Sequence, residues 1–201
     1  MAGKITLTGK YGKLAEKMLK DVCTILHQEK VDYVLEAGTL LGIVRENRLL
    51  PWDNDLDLTV TDRFGDKLLK IRWKFWLKGY RTRIRKYKKK TGPFEKGEIR
   101  ILKIQTTKFL WFKDKSLMDI FIKRAIGDKY FWTVSDKKPV LKSTPRQFYD
   151  QQTRYEFKNY EYLVPRDYYG YLAYHYGENW RTPIKEWNFR TDDNCEKEFL
   201  D

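Results

Sequence analysis

Alternating acidic and apolar side chains at residues 53–60 constrain this chain more than any other feature of its sequence. In an extended strand, Asp53, Asp55 and Asp57 lie on one face, and the apolar side chains between and after them lie on the other. Three carboxylates on one face repel one another and raise one another's pKa unless a cation neutralises them. Oxygen-only ligands favour Mg²⁺ or Mn²⁺. The pattern therefore predicts a half-buried strand that carries a divalent metal site.

The 201 residues fit a single domain, 1–201, that is long enough to bury a sizeable core. No run of about 18 apolar residues is present to span a bilayer. The first ten residues lack the apolar centre of a secretory signal, so we expect a cytoplasmic location. Cys23 and Cys195 are too few and too far apart in sequence to support a disulfide framework or a zinc cluster.

The charge is strongly basic, with 41 Lys and Arg against 28 Asp and Glu and a formal net charge of +13. Residues 67–108 carry sixteen basic side chains but only two acids, Glu95 and Glu98. A positive patch attracts nucleotides, nucleic acid, anionic lipid or phosphate-bearing polymers without choosing among them. We expect an anionic partner, and peripheral attachment to the inner face of an anionic membrane stays open. A solvated hairpin that only keeps the protein soluble is the plain alternative.

The first elements are predicted by apolar spacing and by glycine. Residues 11–29 have one apolar stripe at helical spacing, and residues 31–37 read as a short buried strand. Gly38 is predicted to end that strand at a tight turn. Thr39 is predicted to cap a helix that runs towards Arg45. Because the first amides of a helix lack intrahelical partners, this helix start favours anions.

Further along, residues 64–76 predict a helix, and residues 80–88 and 98–107 alternate as two strands of a basic hairpin joined by a turn-rich loop. Residues 117–122 predict a third strand, in which Asp119 is the one charged side chain. An unpaired carboxylate in mid-strand is costly, although it can be paired with a lysine. Pairing of this strand with residues 55–57 would bring Asp55, Asp57 and Asp119 to one point.

A glycine-started helix, a strand with Asp-x-Asp and a later strand with a third acid follow the plan of the nucleotidyltransferase fold. Residues 38–42 (GTLLG), Arg45 and residues 51–57 (PWDNDLD) resemble the signature of the LicD and fukutin-related family, including the spacing between them. The chain departs from many relatives at Asn54, where they carry another acid. The end of the chain also resembles the family, at Val164, Pro165, Leu172, Tyr176, Gly177, Trp180 and Pro183.

The resemblance implies an α/β (α+β) domain with a nucleotidyltransferase-fold core. This core is a mixed β-sheet flanked by helices, at about residues 11–125, and it carries the basic hairpin. An aromatic-rich helical C-terminal part is expected at about residues 145–190. The implied reaction moves a phospho-alcohol group, by preference phosphocholine, from a CDP-alcohol to a saccharide hydroxyl and releases CMP.

The site residues that the resemblance implies fall into two sets. Asp55, Asp57 and Asp119 would be catalytic and would hold Mg²⁺ or Mn²⁺. The substrate and its phosphates would be bound by Gly38, Thr39, Arg45 and Asp53. Trp52 is the nearest candidate for an aromatic contact with a quaternary ammonium group.

Two other functions remain open on the sequence alone. The same carboxylates serve nucleotidyltransferases that add a nucleotide from a nucleoside triphosphate to RNA, tRNA or protein and release pyrophosphate, and the basic residues 67–108 favour this alternative. A non-catalytic module could instead hold an anionic polymer on the basic residues and a structural ion on the acids.

Overall fold

A computed structural model describes residues 6–108, 112–135, 137–184 and 186–200. The helices in these ranges are α1 (Gly9–Gln28), α2 (Ala37–Glu46), α3 (Gly65–Lys70), α4 (Arg72–Leu77), α5 (Gln147–Asp150) and α6 (Tyr168–Tyr176). The strands are β1 (Val34–Leu35), β2 (Leu56–Thr61), β3 (Tyr80–Lys86), β4 (Ile99–Lys108), β5 (Phe112–Ile126), β6 (Lys129–Val134), β7 (Val140–Pro145), β8 (Gln152–Phe157), β9 (Tyr160–Pro165) and β10 (Glu196–Phe199).

The central sheet is mixed and is organised around the long strand β5. Strands β1, β2, β5, β6, β7 and β10 follow one another in that order, and the β3–β4 hairpin joins through β4, which also pairs with β5. The β2–β5 pair is parallel, while the other pairs of this sheet are antiparallel. Strands β8 and β9 form a separate hairpin. The mixed sheet flanked by helices confirms the predicted α+β fold class.

Helix α1 supplies one side of the core, as its apolar stripe predicts. The stripe and the apolar face of the sheet belong to one buried cluster, and each fully buried Leu or Val contributes about 1.5–3 kcal/mol relative to exposure. Along β2, Leu56, Leu58 and Val60 enter this core, so Asp57 and Thr59 occupy the opposite face. That opposite face carries the candidate site.

Several local predictions need correction. The segment predicted as a helix over residues 64–76 is two short helices, α3 and α4, that meet at Ile71. The strand predicted at 31–37 is limited to Val34–Leu35. The C-terminal part is not helical throughout. Among its described residues, α6 is the one helix of two or more turns, and along the chain it is preceded by strands β8 and β9 and followed by β10. Within the described ranges, every helix is too short or too polar to cross a bilayer.

Candidate active site

Register across three strands brings the acidic residues together. Asp57 on β2 is paired with Asp119 on β5, and Asp119 is paired with Lys103 on β4. Neighbouring strands lie about 4.8 Å apart, so these side chains form one row on the face opposite the core. The predicted pairing of the third strand with the Asp57 segment is therefore present, and it is parallel. The prediction that residues 53–60 form one strand is wrong at its start, because β2 begins at Leu56 and Asp53 and Asp55 lie in the loop before it.

Lys103 balances the charge of Asp119. Its Nζ lies 2.7 Å from Oδ1 and 2.5 Å from Oδ2 of Asp119, and both side chains are largely buried. This ion pair is how a carboxylate is accommodated in mid-strand. Lys103 was missed by the sequence analysis because it is one of sixteen basic residues in 67–108, and only the strand register singles it out.

The carboxylates of Asp55 and Asp57 have no comparable partner. Burial, followed by repulsion from Asp53 and Asp119, raises the pKa of Asp55 to about 7. Burial and repulsion from Asp55 and Asp119 raise the pKa of Asp57 well above its usual value. Among the described residues, none donates a hydrogen bond to either carboxylate. This all-oxygen donor set, short of positive charge, fits a hard divalent cation such as Mg²⁺ or Mn²⁺.

The start of α2 differs from its predicted geometry. Glu36, not Thr39, occupies the N-cap position, so the predicted Thr39 cap is wrong. The tight turn falls at Ala37, with φ of 47°, rather than at Gly38. Thr39 lies buried in the first turn, where its Oγ1 accepts a hydrogen bond of 2.9 Å from the Asp57 amide. Thr39 therefore fixes the strand that carries Asp57.

Gly38 packs closely against the side chain of Asp53. A Cβ built on Gly38 would lie 2.2 Å from Oδ2 of Asp53, a separation that real Cβ atoms do not show. The Oδ1 atom of the same carboxylate accepts a hydrogen bond of 2.9 Å from the Asn54 amide. The helix start and the acidic loop before β2 are thus packed directly on each other, as the spacing of the two motifs implies.

Arg45 is held in the wall of the cavity. Its guanidinium donates to Glu46 Oε1, at 2.7 Å from Nη2, and to the backbone oxygen of Trp180, at 3.2 Å from Nη1. It also lies 5.9 Å from the centre of the Trp52 ring. Arg45 therefore joins the end of α2 to the chain after α6, and its predicted contact with phosphate stays a prediction.

A buried ion pair, which the sequence analysis missed, lies beneath the acidic residues. Lys123 Nζ lies 3.1 Å from Glu36 Oε1, and the carboxylate of Glu36 also accepts hydrogen bonds from Thr59, Tyr149 and Tyr171. Although burial opposes ionisation, the charge of Lys123 and these donors lower the pKa of Glu36. The available signal in the sequence was the position of Glu36, two residues before the GTLLG segment.

A second group of potential metal ligands consists of His175, Asp193 and Cys195, whose donor atoms lie within 4.8 Å of one another. Nitrogen, oxygen and sulfur donors are typical of zinc rather than magnesium sites. However, Asp193 already contacts His175 Nδ1 at 2.8 Å and Lys142 Nζ at 2.5 Å. Burial, together with the charge of Asp193, raises the pKa of the Cys195 thiol to about 12. We interpret this group as a buried ion cluster that ties the C-terminal segment to β7.

One cavity of about 910 Å³ combines these parts. The predicted residues Gly38, Arg45, Asp53, Asp55, Asp57 and Asp119 all line it. Its basic wall is formed by Arg85, Arg100 and Lys103 from the β3–β4 hairpin. Aromatic side chains also line the cavity, namely Trp52, Trp132, Tyr176, Trp180, Trp187 and Phe189.

The site lies in a mixed α/β domain. Its aspartates are in register on parallel strands and lie beside a helix start that contains glycine, an arrangement that defines a nucleotidyltransferase-type site. The model of one family, LicD/FKTN/FKRP, nucleotidyltransferase domain, matches residues 30–167, and the chain belongs to this family. Members of the family are generally phosphotransferases of phosphocholine-like groups. The match includes the Asp55, Asp57 and Asp119 positions.

Two relatives from Rickettsia are similar over most of this chain. An uncharacterized protein of Rickettsia prowazekii (strain Madrid E) is 28% identical over 182 residues, which cover 87% of this chain and 58% of the relative. An uncharacterized protein of Rickettsia typhi (strain ATCC VR-144 / Wilmington) is 26% identical over 162 residues, which cover 81% of this chain and 45% of the relative. The chain thus spans about half the length of the curated relatives it matches.

Proposed function

We propose that this protein transfers a phospho-alcohol group, by preference phosphocholine, from a CDP-alcohol to a hydroxyl of a cell-surface or lipid-linked saccharide, releasing CMP. The observation that carries the proposal is the register of Asp57 with Asp119 on parallel strands, within a domain that belongs to the LicD family. The paired Asp57 and Asp119, together with Asp55, line a cavity large enough for a nucleotide and a sugar.

In the proposed reaction, Asp55, Asp57 and Asp119 hold Mg²⁺ or Mn²⁺. The cation, when bound, would neutralise the donor diphosphate and stabilise the negative charge on the phosphoryl and leaving-group oxygens. Lys103 pairs with Asp119 and adds a fixed positive charge beside the reacting group. Asp119 is the candidate acceptor for the proton of the attacking hydroxyl. Asp53 and Gly38 pack on each other and hold the acidic loop against the cavity in which the substrate would bind.

Aromatic residues around the cavity support a quaternary ammonium group on the donor. Trp52 and Trp180 both line the cavity; Arg45 lies 5.9 Å from the centre of the Trp52 ring and donates a hydrogen bond to the backbone oxygen of Trp180. Aromatic faces attract quaternary ammonium cations through their negative quadrupole, typically by about 0.5–2 kcal/mol. This contact favours choline over an uncharged alcohol such as ribitol.

Nucleotide addition from a triphosphate is the second candidate, because three arginines of β3 share the face of the sheet that carries the acidic row. The products separate the two functions. With a panel of saccharide acceptors present, we expect CDP-choline and Mg²⁺ to yield CMP, and nucleoside triphosphates to yield no pyrophosphate. Release of pyrophosphate, with CDP-choline left intact, would favour nucleotide addition. A folded protein that consumes neither donor, with and without a panel of saccharides, would favour a non-catalytic module.

A further inference from the structure

Helix α4 carries apolar side chains on its solvent face as well as on its inner face. Phe75 is fully buried on the inner face. Trp73, Trp76 and Leu77 have the i, i+3, i+4 spacing of a second face and are 51%, 41% and 75% exposed. A surface helix normally presents polar side chains to water. Adjoining apolar side chains that stay exposed mark a surface that binds a partner or a membrane.

The rings of this α4 surface are held in place by β3 and by neighbouring cations. Trp76 Nε1 and Arg72 Nε donate hydrogen bonds to Thr82 Oγ1, at 3.0 and 3.3 Å. The Arg72 guanidinium lies 5.7 Å from the centre of the Trp76 ring. Lys74 Nζ lies 5.3 Å from the centre of the Trp73 ring. Tryptophan rings beside basic side chains suit a membrane–water interface, where the rings sit at headgroup level and the cations stay in water.

The charge of the segment that contains α4 is strongly positive. Residues 67–90 contain twelve Lys and Arg and no Asp or Glu. Glu29 of α1 pairs with Lys74, and Asp66 lies at the start of α3, so these two carboxylates leave a large positive excess. An anionic lipid surface attracts such an excess within a Debye length, about 10 Å at 0.1 M salt. The apolar surface and its charge therefore complement the same kind of partner.

We propose that the α4 surface docks on a bilayer that contains anionic lipids. Trp73, Trp76 and Leu77 insert among the headgroups, and the surrounding Lys and Arg contact lipid phosphates. Lysine is depleted at protein–protein interfaces, which argues against a protein partner. Leu77, the most exposed of the three, offers no ring on which a nucleic-acid base could stack, which argues against RNA. These three residues lie outside the cavity lining, so the inference does not depend on the proposed function.

The apolar part of the surface is tested by sedimentation with vesicles of phosphatidylcholine, with and without phosphatidylglycerol. We expect the protein to bind the anionic vesicles and to be released as salt is raised. Trp73→Ser with Leu77→Ser should bind about tenfold more weakly. The matched control, Ile126→Ser with Phe199→Ser, removes two exposed apolar side chains elsewhere and should bind as the wild type does.

The basic part is tested with the same vesicles. Lys70→Glu with Lys78→Glu should weaken binding to the anionic vesicles about tenfold. Lys137→Glu with Lys138→Glu makes the same change in net charge at two exposed lysines before β7 and should have little effect. Circular dichroism establishes that each variant is folded. Because neither donor nor acceptor is present, failure of docking is distinguishable from failure of the transferase.

Insertion of the rings is followed in a second measurement, with vesicles whose acyl chains carry bromine. Quenching of tryptophan fluorescence is expected in the wild type and should fall in Trp73→Phe with Trp76→Phe. The proposal is overturned by a lack of binding to anionic vesicles at low salt, or by binding that Trp73→Ser with Leu77→Ser leaves unchanged. Binding of polyuridylate that depends on Trp73 and Leu77, without binding to vesicles, would assign the surface to nucleic acid instead.

Discussion

The carboxylate of Asp53 fills the space that a side chain on Gly38 would occupy, with only 2.2 Å between Oδ2 and the position of a Cβ. A side chain at position 38 would therefore displace the carboxylate of Asp53 from its place between the acidic loop and the start of α2. The same pair links the GTLLG segment to the aspartates, so the two halves of the family signature are one structural unit.

Gly38→Ala should displace Asp53 and, with it, the acidic loop. We expect a loss of about 1–3 kcal/mol in the free energy of unfolding, which is typical of overpacking, and a fall in CMP release of about 10- to 100-fold. Urea denaturation and a donor-turnover assay measure the two effects. Gly65→Ala is the control, because a Cβ there meets Ile122 only at 3.6 Å. Equal behaviour of the two variants would show that the close contact is unimportant.

The buried Glu36–Lys123 pair should be essential to stability. Glu36→Gln leaves the ammonium group of Lys123 buried without a counter-charge, so we expect a loss of about 3–5 kcal/mol in the free energy of unfolding. Replacing both residues, as Glu36→Gln with Lys123→Met, should cost less than the single change, since no unpaired charge remains. Denaturant titration of the three proteins checks this order. A single variant as stable as the wild type would contradict the account.

The ion cluster at Asp193 predicts a pH-dependent contribution to stability. Although burial opposes ionisation, the hydrogen bond and charge of His175 and the charge of Lys142 hold the pKa of Asp193 well below its usual value. A depressed folded-state pKa gives stability that is present above the unfolded value, about 4, and is lost as the pH falls below it. The difference in unfolding free energy between wild type and Asp193→Asn should therefore shrink between pH 6 and about pH 3. A constant difference would argue against an ionised Asp193.

The main strand pairings were predictable because their signals are local. The β2–β5 pair was indicated by the alternation at 53–60 and by the acid, Asp119, in an otherwise apolar strand. The β3–β4 hairpin was indicated by two alternating segments around a turn-rich loop. The resemblance supplied the fold that connects them. Asp55, Asp57 and Asp119 could be identified as site residues from the sequence. A charged carboxylate is energetically unfavourable beside other carboxylates or in an apolar strand unless a cation compensates it.

The rest depends on partners that are distant in sequence. Glu36 is paired with Lys123, 87 residues later, and nothing around either residue identifies the other. Thr39 was predicted as a cap because threonine favours that position, but its hydroxyl instead binds the amide of Asp57. His175 lies within an aromatic stretch of the sequence, and its contact with Asp193 arises only when the chain after α6 folds back onto the sheet.

The most direct test of the account is CMP release from CDP-choline with Mg²⁺ by the wild type, Asp57→Asn, Asp119→Asn and Asp66→Asn. The first two variants lose a carboxylate of the paired row, whereas Asp66 is an exposed acid at the start of α3. We predict at least a 100-fold fall for Asp57→Asn and Asp119→Asn, and wild-type activity for Asp66→Asn, with all proteins folded by circular dichroism. Full activity in folded Asp57→Asn and Asp119→Asn would contradict the proposal that these two carboxylates carry the reaction.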